Sequence, residues 1–183
     1  MKFNMGQWEL LPGTEAIYPI TITDVSTDNQ ALTMTGYSHH VNSRGNYIHG
    51  TIITVRFTSP APNVIRVQLS HFKGRCERLP RFDLDYAATN TTASTGCDEH
   101  RAWLNAGQVS VFAPKKGEWQ FAFQRDGSGL TQSEPRAVGL FTQNGETYLR
   151  EQLSLQPGEM VYGLGERFGP FIKNGQSIDS WNE

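Results

Sequence analysis

Cysteine is scarce in this chain: Cys76 and Cys97 are the only two in 183 residues. With no secretory leader ahead of them they read as free thiols rather than as a disulfide. Neither sign of charge is in excess. Sixteen basic and 18 acidic residues leave a formal net charge of -2, which gives no basic footprint for nucleic acid or for an anionic membrane. No run of 18 apolar residues is present, so no membrane-spanning helix is expected. Met1-Lys-Phe-Asn-Met5 leads into a Trp/Leu segment without a secretory core, which favours a cytoplasmic location and gives the acceptor sequence Asn90-Thr-Thr92 little weight. The five histidines, His39, His40, His49, His71 and His100, show neither His-x-His nor His-x-x-x-His spacing, and no Cys-x-x-Cys occurs. No metal site and no cofactor are therefore expected.

Signatures of catalysis are equally thin. There is no Gly-x-Ser-x-Gly, and Ser128 in Gly127-Ser-Gly129 reads as a lone loop serine. After Gly163-Leu-Gly165 the next glycine is Gly169, one position too late for a dinucleotide fingerprint. Asp83 and Asp85 would share a face of a strand, as glycoside hydrolysis needs of its two carboxylates. In a loop-rich stretch they read as solvated acids, and Asp98-Glu99 reads the same way. No catalytic residue is assigned.

What the sequence does contain is period-two alternation. Ile65, Val67 and Leu69 alternate with Arg66, Gln68 and Ser70, and Val109, Val111 and Ala113 repeat the pattern. Trp119, Phe121 and Phe123 do so again, and Pro114-Lys-Lys-Gly117 between them predicts a hairpin over 108–123. Further strands are expected at 16–24, 31–37, 51–58, 136–142, 146–155 and 159–164, with a tight type I′ turn at Asn144-Gly145. Pro19 and Pro135 would mark edges or strand starts. The stretch 73–107 reads as loop with short strands, one of them near 82–88. Helical periodicity is missing, so the expected fold is all-β, a single antiparallel β-sandwich with little helix.

The richest segment is the last. Val161-Tyr-Gly-Leu-Gly-Glu-Arg-Phe168 is followed by Lys173-Asn-Gly-Gln176 and then by Trp181-Asn-Glu183, where the sequence stops. Gly163 and Gly165 suit a tight bend, and Glu166-Arg167 reads as an ion pair or backbone-bonded pair that scaffolds the loop in preference to a catalytic acid. Phe168, Phe171 and Trp181 stand beside the amides Asn174, Gln176 and Asn182. Aromatic faces with neighbouring amides suit sugar recognition, while for Phe168 and Phe171 anchoring the loop in a core is the preferred reading. For Trp181 and Asn182 the choice stays open. The expectation is that whatever this loop serves lies beyond residue 183.

These same motifs resemble the end of the N-terminal domain of glycoside hydrolase family 31, most closely its bacterial α-xylosidases. Tyr148-Leu-Arg-Glu-Gln-Leu-Ser-Leu155 with Pro157-Gly-Glu159 resembles the strand leading into them. Trp8 with Pro12-Gly13 and His71-Phe-Lys-Gly74 resemble other recurrent stretches. The resemblance implies a galactose-mutarotase-like β-sandwich over 1–165 and a loop, 166–183, leading toward a catalytic (β/α)8 barrel absent from this chain. That barrel would carry an aspartate nucleophile and an aspartate acid/base. The family commonly continues Trp-Asn-x-Asp, with Glu183 here at the variable position. By this resemblance the segment is a non-catalytic domain of a retaining α-xylosidase or α-glucosidase. It would brace the barrel and shape the subsite for the leaving-group sugar of an α-linked oligosaccharide. Phe171, Lys173, Trp181 and Asn182 would form the substrate rim, and Gly163, Gly165, Glu166 and Arg167 the loop scaffold. Self-association is compatible with this. The rival is a free-standing carbohydrate-binding or mutarotase-like module, which sugar titration of the chain discriminates.

Overall fold

Two alternating runs set the architecture. In Ala31–Tyr37 the residues Leu32 and Met34, and in Ile52–Ala61 the residues Ile53, Val55 and Phe57, are fully buried on one face. Their polar neighbours Thr33, Thr54 and Arg56 take the other face. The computed structural model describes residues 3–5, 9–72, 93–166 and 168–180, the side chain of Tyr47 apart. Within them lie the strands β1 (Thr14–Ile17), β2 (Thr21–Thr27), β3 (Ala31–Tyr37), β4 (Ile52–Ala61), β5 (Val64–Ser70) and β6 (Ala93–Cys97). They continue with β7 (Arg101–Ala106), β8 (Val109–Pro114), β9 (Phe121–Arg125), β10 (Ser128–Ser133), β11 (Gly139–Gln143) and β12 (Glu146–Arg150). A single 3-10 turn, Arg44–Tyr47, is the one helical element among the described residues, so none there is long and apolar enough to cross a membrane.

All pairing among these strands is antiparallel. A four-stranded sheet, β2-β3-β4-β5, faces a five-stranded one, β10-β9-β8-β7-β6, and a third sheet runs β1-β11-β12. The core between them is Leu32, Met34, Ile53, Val55 and Phe57 against Leu104, Val111, Trp119 and Phe121, all at most 2% exposed. Phe57 meets Phe121 edge-on at 4.9 Å, the arrangement aromatic quadrupoles favour. Trp119 lies so close to Gly36 that a Cβ there would stand 2.3 Å from Trp119 Cε3. Asn63, in the turn after β4, joins the two large sheets at one end. Its N–H donates to Ala106 O (2.9 Å), and its Oδ1 accepts from Gln108 N (2.7 Å).

The β-sandwich expected from alternation is present, with several corrections to its elements. The expected strand 16–24 is two strands in different sheets, because the buried Pro19 between them has no N–H for a ladder. The 108–123 hairpin forms as β8 and β9, but its connection runs over 115–120 so that Trp119 can enter the core. Ser128, read as a lone loop serine, begins β10, a strand not expected from the sequence, which pairs with β9 across Asp126 (φ 48°) and Gly127 (φ 81°). Asn144 (φ 54°) and Gly145 (φ 81°) both take the positive φ that a type I′ turn demands. The strand expected at 136–142 begins only at Gly139, β12 ends at Arg150 rather than 155, and 159–164 is not a strand. β6 and β7 are short strands within 73–107, the stretch read as loop with short strands. The strand expected near 82–88 lies outside the described residues, as do Asp83, Asp85, Cys76 and Asn90.

Candidate functional site

After β12 the chain leaves the sheets but stays tied to them. Ser154 N donates to Gln132 O (2.9 Å), Gln132 N donates to Ser154 Oγ (3.0 Å), and Thr131 Oγ1 donates to Ser154 O (2.8 Å). These bonds lay residue 154 along the free edge of β10. A turn at Pro157-Gly158 follows, where Gln156 N donates to the Glu159 carboxylate (2.6 Å) and Glu159 N to Gln156 O (3.0 Å).

The loop from Val161 to Lys173 is closed at its base by Asn174. Asn174 Oδ1 accepts from Val161 N (2.7 Å), and its Nδ2 donates to Glu159 O (2.9 Å). Lys173 N donates to Val161 O (2.8 Å) beside it. This double grip uses both ends of the Asn174 amide, one of the groups considered for sugar contact. At the bend, Gly163 (φ 101°), Leu164 (φ 69°) and Gly165 (φ 78°) are successive left-handed residues. Open space surrounds both glycine α-carbons, so the backbone angle, not close packing, selects glycine there.

Most apolar side chains of this segment face outward, so Phe168 and Phe171 do not anchor the loop in a core as expected. Leu153, Leu155, Met160, Tyr162 and Leu164 are each more than half exposed, Phe171 is 79% exposed, and Phe168 is fully exposed. Phe171 leans on Tyr162 with ring centroids 5.1 Å apart. Phe168, Pro170, Lys173, Gln176, Ile178 and Asp179 line an open hollow of ≈ 490 Å³. Lys173 belongs to that hollow, with its ammonium donating to Pro170 O (2.7 Å). Phe171 is not among its lining residues. Glu166 is exposed. Arg167, Trp181 and Asn182 lie outside the described residues.

The carboxyls with a resolved shift among the described residues lie outside this loop. Asp98 accepts backbone N–H bonds from His100 and Arg101 (both 2.8 Å). Those bonds, Arg101's first, hold its carboxyl below the ordinary range. Asp28 is lowered in the same manner, chiefly by the Gln30 N–H. Glu151 is the exception that alternation did not reveal. Both its carboxylate oxygens are buried without a well-formed hydrogen bond, and burial pushes its pKa up to about 7. The nearby Ser133 hydroxyl and then the Arg150 charge moderate the rise. It lies beside the sheets, not in the hollow at 168–179. No group of three or more His, Cys, Asp or Glu among the described residues is placed to hold a metal.

Fold and terminal loop together define the class: a galactose-mutarotase-like β-sandwich domain that displays apolar side chains on its last segment. The chain belongs to the family of glycosyl hydrolase 31 N-terminal galactose mutarotase-like domains, which matches residues 54–183. Along its whole length it is 32% identical over 185 residues to the alpha-xylosidase XylQ of Lactiplantibacillus pentosus, covering 24% of that protein. It is 29% identical over 206 residues to an alpha-xylosidase of Emericella nidulans, covering 26%. The chain thus spans about a quarter of the length of the curated relatives it matches. The crystal structure of uncharacterized protein lmo2446 from Listeria monocytogenes matches 93% of this chain, and 15% of its own, with TM-score 0.63. At 15% identity that likeness shows the fold alone.

Proposed function

We propose that this domain serves a retaining α-glycosidase acting on α-xylosides or α-glucosides, and that it is not catalytic by itself. Residues 1–165 form the bracing sandwich, and 166–183 form the loop that reaches a (β/α)8 barrel. The observation that carries this reading is the row of exposed apolar side chains between Leu153 and Ile172. Soluble surfaces rarely leave so many together without a binding partner. The greater length of both alpha-xylosidases supports a partner within the same polypeptide.

In this proposal the barrel supplies the nucleophile and the acid/base of a double displacement. This domain supplies position. Gly163, Gly165, Glu166 and Arg167 set the course of the loop, while Phe171, Lys173, Trp181 and Asn182 bound the site of the leaving-group sugar. A cytoplasmic location belongs to the same proposal and is checked by cell fractionation. Purified alone, the 183-residue chain should show no turnover of aryl α-xylosides or α-glucosides, whereas the longer polypeptide should hydrolyse one of them. Turnover by the purified short chain would overturn the assignment.

A further inference from the structure

A second concave site lies on the sandwich itself and shares no lining residue with the hollow at 168–179. Strand register builds one wall. Thr33, Arg56 and Gln68 stand in one row across β3, β4 and β5, and Thr54 stands opposite Ser70 in the next. Their neighbours Met34, Val55 and Phe57 face the core, which turns this polar set outward. The other wall is β12, with Thr147, Tyr148 and Leu149, and Leu69 and Leu140 add apolar surface. The groove holds ≈ 760 Å³, within the ~300–1,000 Å³ of small-molecule sites.

The lining chemistry is selective. Its charged side chains, Arg56 and Asp28, pair with each other at 3.6 Å. These two opposite charges offset each other, which argues against a phosphate or a carboxylate as ligand. His71 Nδ1 donates to Ile52 O (3.2 Å), which leaves Nε2 for a ligand hydroxyl. The same groove carries the Gln68 amide and the hydroxyls of Thr33, Thr54 and Ser70. Leucines and the exposed ring of Phe72 supply apolar surface beside them. Paired donors and acceptors next to apolar faces match a molecule with hydroxyls on its edge and C–H groups on its face. We infer that this groove binds an uncharged saccharide, independently of any catalytic role of the longer enzyme.

The test is a backbone-amide NMR titration of the 183-residue chain with methyl α-xyloside, methyl α-glucoside, maltose and inorganic phosphate. At least one sugar should shift the amides of Thr33, Thr54, Gln68 and Leu149 at millimolar concentration, and phosphate should not. Gln68→Ala, at an exposed position, should weaken that binding about fivefold, as expected for one lost neutral hydrogen bond. Its melting temperature should stay unchanged. Thr54→Val should weaken binding similarly. Three results would each overturn the inference: no shift up to about 50 mM sugar, well above weak-site affinities; shifts confined to 168–179; or phosphate binding more tightly than every sugar.

Discussion

Replacing Glu151 by glutamine should make the sandwich more stable above neutral pH and change little below about pH 4.5. Burial raises the Glu151 pKa from the ordinary 4.5 to about 7, and neither carboxylate oxygen has a well-formed partner. The folded chain therefore keeps a proton that the unfolded chain releases. Stability is complete below about 4.5, falls as pH climbs toward about 7, and levels off above it. The two pKa values bound the loss at roughly 3 kcal/mol. Because the residue is only partly enclosed, solvent screening reduces this to about 1–2 kcal/mol. Asp28 and Asp98, both lowered, contribute in the opposite sense and only below 3.8, so they do not confuse this window. Urea unfolding of both proteins at steps between about pH 4 and 8.5 reads the difference. The wild-type midpoint should drift down across the window while that of E151Q stays flat. Parallel profiles would mean that the carboxyl is solvated in the folded chain, and the desolvation argument would fail.

Three further outcomes follow from the packing. Gly36→Ala would place a Cβ 2.3 Å from Trp119 Cε3 and 3.0 Å from Pro19 Cβ. Since Trp119 is fully buried, a loss of about 2–3 kcal/mol or more in urea is expected; an unchanged midpoint refutes that packing. Asn63→Ala removes the acceptor for Gln108 N and leaves alanine at φ 61°. About 2 kcal/mol should be lost, and Asn63→Gly should recover part of the backbone share. Phe168→Ser with Phe171→Ser should shift stability of the isolated chain by less than about 0.5 kcal/mol and lower its binding of a hydrophobic dye. A larger loss would show that those rings pack within this chain.

How far the fold could be read from sequence depended on whether each strand has two distinct faces. β3 and β4 each present a core face and a mainly polar face, and their alternation is plain in the letters. β6, Ala-Ser-Thr-Gly-Cys, carries almost no apolar signal. Trp103 of β7 lies against Gly96 so closely that a Cβ there would stand 2.6 Å from the indole. The apolar mass that marks this edge belongs to the neighbouring strand. β10 was hidden by Gly127-Ser-Gly129, although Asp126-Gly127 is itself a hairpin-turn dipeptide. Glu151 left no trace at all, because its peculiarity is the absence of a well-formed partner in space, which no local pattern encodes.

The failed strand at 159–164 is the most instructive of these differences. Met160, Tyr162 and Leu164 alternate as a buried strand would, yet all three are more than half exposed, and the backbone turns left-handed at Gly163–Gly165. Leu164 in that conformation carries roughly 1–2 kcal/mol of strain. Local strain of this kind persists only where surrounding contacts impose it. The Asn174 grip fixes the base of the loop, while the side chains toward its tip remain largely in solvent. Burying a large, fully exposed apolar side chain is worth about 1.5–3 kcal/mol; since these are about half exposed, docking three of them would still offset the strain. In this chain the alternation thus marks neither a strand nor a buried face. Under the proposed function, these exposed side chains are the ones a following barrel would cover.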